Sequence, residues 1–116
     1  MNHIHLGTQD LNKSVSFYTS IFGFRKKFDH PPGIFLENSD GFLLAIDPVE
    51  RVPALPAWYH LGLCLDSENE VLDLYSQCQQ ANIQIARDLM HEPNQFASFF
   101  VVDPDGYKIE ISWHNE

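Results

Sequence analysis

The chain has 116 residues, 44% of them hydrophobic, and carries seven Lys and Arg against sixteen Asp and Glu, a formal net charge of −9. This is one domain's worth of material with enough apolar content for a single core. The acidic balance argues against nucleic acid and anionic membrane surfaces, which need clustered positive charge, and no run of eighteen apolar residues suggests a membrane span.

The elements follow in the order βαβββ, twice. A first strand is expected over residues 2–7. Asp10 then caps a helix over 11–22, where Leu11, Val15, Tyr18 and Phe22 recur at helical spacing and Gly23 suits a left-handed C-terminal cap. Strands follow over 24–29, 33–37 and 42–47, with Pro31-Pro32 and Asp40-Gly41 as turns. Residues 49–57 hold two of the prolines and no period, and read as a linker between module one (about 1–48) and module two (about 58–116) of a single domain. A strand over 59–65 leads to Ser67-Glu68-Asn69-Glu70, a capping-box pattern that opens a helix running through residue 81, with Asn82 closing it. Strands over 83–87, 96–102 and 107–113 complete the second module, and His91 falls in a loop over 91–95. Cys64 lies in a strand pattern and Cys78 in a helix pattern. They make no disulfide framework, and no basic-then-apolar leader is present, so a reduced, cytoplasmic setting is expected.

The modules are copies of one program. His3-Ile4-His5-Leu6 corresponds to His60-Leu61-Gly62-Leu63, and Asp40-Gly41 before an apolar strand corresponds to Asp105-Gly106. Aligned on those turns, Glu110 falls opposite Ala45. Side chains at i and i+2 of a strand share a face. Leu61, Leu63 and Leu65 therefore oppose His60, Gly62 and Cys64; Ile4 and Leu6 oppose His3 and His5; and Ile109 and Ile111 oppose Glu110. If the polar faces curl into a cavity, His3, His60 and Glu110 converge across a pseudo-twofold axis. Each also has a reading without function, as a polar residue on the wet face of a sheet. Phe35 and Phe100 occupy equivalent positions in the two copies and are candidates for cavity walls or for core. Cys64 faces the same side, with nothing nearby in sequence to lower its pKa.

At these residues the chain resembles the vicinal oxygen chelate superfamily, which contains glyoxalase I, extradiol dioxygenases, fosfomycin-resistance thiol transferases and bleomycin-resistance proteins. The resemblance spans nearly the whole chain. It rests on His3…Asp10-Leu11-Asn12-Lys13-Ser14…Phe17-Tyr18…Phe22-Gly23-Phe24, on His60…Asp66, and on Asp103-Pro104-Asp105-Gly106-Tyr107-Lys108-Ile109-Glu110. It implies an α+β fold of paired βαβββ modules that form an open, cup-shaped mixed sheet with helices on the outer face, usually as a homodimer. It also implies a divalent metal ion (Fe, Mn, Ni, Co or Zn) held by His3, His60 and Glu110, with open positions for a small-molecule substrate that chelates through oxygens.

Two departures qualify the resemblance. Ala45 stands where glyoxalase I has a fourth ligand, so that carboxylate and its acid/base role are missing. Along His91, Phe99-Phe100 and Glu110 the order matches the extradiol signature, but Phe100 replaces a Tyr and offers no hydrogen bond to a catecholate. His5, His91, Phe35, Ala45, Cys64 and Phe100 are the residues expected around the metal. The activity expected is metal-dependent chemistry of the glyoxalase or dioxygenase type. The alternative is a metal-free, ligand-sequestering protein of the bleomycin-resistance type.

Overall fold

The structure, a computed structural model, describes residues 1–116. The chain divides into two compact units, Met1–Ala54 and Leu55–Glu116. The first contains β1 (His3–Thr8), α1 (Leu11–Phe22), β2 (Arg25–His30), β3 (Gly33–Glu37) and β4 (Leu43–Pro48). The second contains β5 (Leu61–Cys64), α2 (Glu68–Gln80), β6 (Ile85–Glu92), β7 (Phe96–Val102) and β8 (Lys108–His114). Each unit is thus βαβββ, and the fold class is α+β.

The two sheets share one topology. Strand order is β1-β4-β3-β2 in the first unit and β5-β8-β7-β6 in the second. In each, the first strand runs parallel to the last and the remaining pairs are antiparallel. A parallel neighbour needs a crossover, and in each unit the helix and the two strands after it make that connection.

Both helices start where local chemistry directs. Lys13 N–H donates to the Asp10 side chain at 3.0 Å, and Gly23 closes α1 at φ 71°. At α2, Glu70 N–H donates to Ser67 Oγ at 3.2 Å while Ser67 Oγ donates to the Glu70 carboxylate, closing the capping box. Asn82 takes the left-handed conformation at φ 57° just beyond that helix.

Alternation then sorts the strands into layers. Leu6, Leu36, Leu44 and Ile46 are buried with Phe17 and Tyr18 of α1, which packs on β4. Phe99, Val101, Ile109 and Ile111 are buried with Val71 and Cys78 of α2, which packs on β7 and β8. Each such side chain contributes about 1.5–3 kcal/mol relative to an exposed one. The opposite face of each sheet carries the polar rows.

Two boundaries differ from expectation. β6 extends to Glu92, so His91 lies in a strand rather than a loop. The run Arg87-Asp88-Leu89-Met90-His91-Glu92 has no apolar alternation, and cross-strand pairing with β7, through two register shifts, extends the strand regardless. β5 begins only at Leu61, which places His60 immediately before the strand.

Candidate functional site

The helix-free face of the second sheet is best described by one rung across it. Gly62, Glu110, Phe100 and Arg87 are consecutive partners from β5 to β6. Nothing lies within 4 Å of where a Gly62 side chain would begin, so the edge beside Glu110 is open. Glu110 Oε2 accepts a hydrogen bond from Ser98 Oγ at 2.8 Å, and Ser98 Oγ accepts one from Arg87 Nη2 at 2.7 Å. The Arg87 guanidinium lies over the Phe100 ring, 4.7 Å from its centroid, and 3.9 Å from Glu110 Oε2. A cation on an aromatic face next to a carboxylate is held by both.

His60 completes the cluster. Its ring lies 4.8 Å from that of Phe100, and its Nε2 lies 3.4 Å from Glu110 Oε1. Its Nδ1 donates to the Trp58 carbonyl at 3.1 Å. That bond places the ring hydrogen on Nδ1 and leaves Nε2 as the free lone pair of the neutral imidazole, the arrangement found where a histidine holds a metal. Two ligands bound tetrahedrally at 2.0–2.1 Å are separated by about 3.4 Å. The His60 and Glu110 atoms already stand at that separation, each anchored from behind, so this pair has the spacing of two ligands of one divalent ion. Within neither unit do three His, Cys, Asp or Glu side chains group to hold one.

The first unit has the same rung with different contents. His5, Ala45, Phe35 and Phe28 are consecutive partners from β1 to β2. Ala45 is buried and contributes no ligand. Phe28 stacks on Phe35 with centroids 4.7 Å apart, and His30 meets Phe35 edge-on. His5 Nε2 is 2.6 Å from Asp47 Oδ2. His3 is exposed, its Nδ1 bonded to Asn2 Oδ1 at 2.9 Å.

The remaining expected residues divide. Cys64 is exposed on the face of Glu110, 3.7 Å from Ser112 Oγ, with its thiol free. His91 is a fastener rather than a wall: its Nε2 bonds Glu68 at 2.9 Å, and Asn94 N–H donates to the same oxygen. These bonds hold the Glu68 carboxyl below its usual range. Arg87, Ser98 and Asp47 were not singled out from sequence. For Ser98 and Asp47 a signal existed, since each lies two residues from a named position, Phe100 and Ala45, and shares its face. Arg87 was hidden by a bulge, because pairing opposite Phe100 depends on a register shift.

Comparison with known proteins agrees with this architecture. Residues 1–111 match the Glyoxalase/Bleomycin resistance protein/Dioxygenase superfamily. The chain is 26% identical over 114 residues to the metallothiol transferase FosB of Lysinibacillus sphaericus, covering 96% of this chain and 79% of that one. It is 29% identical over 127 residues to a lactoylglutathione lyase of Neisseria meningitidis, covering 94% and 86%. Among solved structures, a glyoxalase-related enzyme from Fulvimarina pelagi superposes with a TM-score of 0.76 at 31% identity, covering 98% and 87%. With its duplicated βαβββ units and a match that spans nearly its whole length, the chain belongs to the glyoxalase/bleomycin resistance protein/dioxygenase superfamily, the vicinal oxygen chelate proteins.

Proposed function

We propose that this protein is a metal-dependent enzyme of the glyoxalase or dioxygenase type, acting on a small substrate that chelates a divalent ion through oxygens, with His3, His60 and Glu110 as protein ligands. The observation that carries this reading is the His60 Nε2–Glu110 Oε1 separation of 3.4 Å with both groups anchored. In this reading His3 is the third donor and the whole chain is one domain. A bound ion would supply Lewis acidity toward a carbonyl or alkoxide oxygen. The chain's own residues supply the rest: Ser98 and Arg87 hold the Glu110 carboxylate in one orientation, and Phe100 shields one side of the His60 ring. Among the relatives, FosB is a metallothiol transferase and the Neisseria protein a lactoylglutathione lyase, which supports a metal and a thiol-bearing substrate class. The working form in this reading is a homodimer in a reducing cytoplasm.

The test is metal content per chain by mass spectrometry of untagged protein, with wild type beside His60→Ala and Glu110→Gln. Near-stoichiometric Fe, Mn, Ni, Co or Zn in wild type, lost in both variants, is expected. Absence of metal after reconstitution with each ion would move the assignment to a metal-free sequestering protein. The stacked Phe28 and Phe35 favour that second reading, because Phe28 is 43% exposed and presents a flat apolar surface.

A further inference from the structure

Arg87 is fixed less by its strand than by what surrounds it. It stands alone in β6 between two register shifts, one toward Ile85 and one toward Met90. Such bulges interrupt the ladder, and a long guanidinium side chain has many rotamers open to it. Its position is nevertheless specific. Nη2 donates to Ser98 Oγ, Nη1 donates to the Asp88 carbonyl at 3.2 Å, and the cation lies over Phe100. The side chain is 35% exposed, so packing alone does not lock it.

The remaining anchor comes from the helix side of the sheet. Arg87 lies on the open face with Phe100, and the side chain of its neighbour Asp88 turns to α2. Tyr75 Oη of that helix donates to Asp88 Oδ1, and Leu89 N–H donates to the same oxygen at 2.9 Å. The second bulge is thereby tied to the helix. Gln79 Nε2 donates to Tyr75 Oη at 3.1 Å, which directs the hydroxyl hydrogen toward Asp88, and the Tyr75 ring meets buried Phe99 edge-on, with centroids 5.2 Å apart. The Tyr75–Asp88 bond raises the pKa of the hydroxyl and lowers that of the carboxyl. In the first unit the rung ends on Phe28 instead, and Asp29 after it bonds Lys26 of its own strand at 2.6 Å.

We propose that Tyr75 and Asp88 are positioning residues: from the helix side of the second sheet they hold Arg87 on Phe100 and Ser98, and through Ser98 they fix the direction of Glu110. That Glu110 has a ligand's task rests on the enzymatic reading above. The path is short and continuous. Tyr75 holds the Asp88 carboxylate, Asp88 sets the bulge and offers its carbonyl to Arg87, Arg87 donates to Ser98, and Ser98 donates to Glu110. A change on α2 therefore reaches the open face of the sheet through residues that are in contact at every step.

Two measurements test this, with the full chain. The first uses metal-free protein and the NMR signals of the arginine δ-methylene groups. The other arginines are Arg25 and Arg51, and loss of a signal in Arg87→Met identifies that of Arg87. Stacked on Phe100, it is expected upfield in wild type and near those of Arg25 and Arg51 in Tyr75→Phe and Asp88→Ala. Asp88→Asn keeps an oxygen that can accept both bonds and should keep the upfield position. The second is metal affinity by chelator competition. Tyr75→Phe should weaken it by up to about tenfold, the worth of one net hydrogen bond, and by nothing further in an Arg87→Met background. An Arg87 signal unmoved in Tyr75→Phe and Asp88→Ala would overturn the positioning role and leave the enzymatic reading intact. A moved signal with unchanged affinity, or equal weakening with and without Arg87, would overturn the path to Glu110. No metal bound by wild type would overturn the enzymatic reading and the task of Glu110 with it, while the spectra still decide whether Tyr75 and Asp88 hold Arg87.

Discussion

Ser98 shows how the direction of a candidate site carboxylate can depend on a residue behind it. Its hydroxyl accepts from Arg87 and donates to Glu110, so one small buried side chain sets the direction of the carboxylate. Outer partners of metal ligands are worth tenfold to a hundredfold in affinity. With Glu110 as a ligand, as proposed, Ser98→Ala is expected to weaken metal binding by about 10–100-fold with little change in fold, measured by competition with a chromogenic chelator. Unchanged affinity would mean that Arg87 alone orients Glu110. Cys78 illustrates the opposite environment. Burial pushes its thiol up to about 11, and it is packing material rather than a nucleophile.

Helix α2 carries two separable contributions to the second unit. Ser67 caps its first turn by accepting from Glu70 N–H. Ser67→Ala is expected to cost about 0.5–2 kcal/mol, read from the midpoint of urea unfolding. Glu68, the first residue of the helix, instead ties α2 to the end of β6 through His91 and to the β6–β7 turn through Asn94 N–H, and these bonds lower its pKa from 4.5. A carboxyl lowered in the folded state adds stability that is complete above its unfolded value and disappears as pH falls through the folded one. The thermal midpoint should therefore drop below pH 4.5 more steeply in wild type than in Glu68→Gln. Parallel curves for the two proteins would show that the tie contributes nothing.

For the whole molecule, the duplicated units have one topology and one rung design, yet divergent contents. One has Glu110 with Arg87 on Phe100, and the other has His5 with Phe28 on Phe35. A ligand that binds only the folded state raises stability by about 2.7 kcal/mol at a hundred times its dissociation constant. Saturating divalent metal should raise the melting temperature of wild type and leave that of His60→Ala nearly unmoved, by differential scanning fluorimetry. A rise of equal size in both would place binding elsewhere on the acidic surface, which carries a net charge of −9.

Local chemistry was enough for much of this. The Asp10 and Ser67 caps, Gly23, the Asp-Gly turns and the two-residue alternation of strands act over a few residues, so they were legible in the chain itself. The same holds for the duplication, and with it the family and the face of β8 that bears Glu110. Cross-strand register was not legible, because a bulge moves every later partner by one place and hydrogen bonds between strands decide it. Only the folded sheets show that Arg87 lies over Phe100, that Ser98 links it to Glu110, and that His91 is spent on Glu68. The same is true of the pairing of His5 with Asp47 across the parallel β1–β4 ladder. Forty-two residues separate them in the chain, and only strand pairing brings them within 2.6 Å.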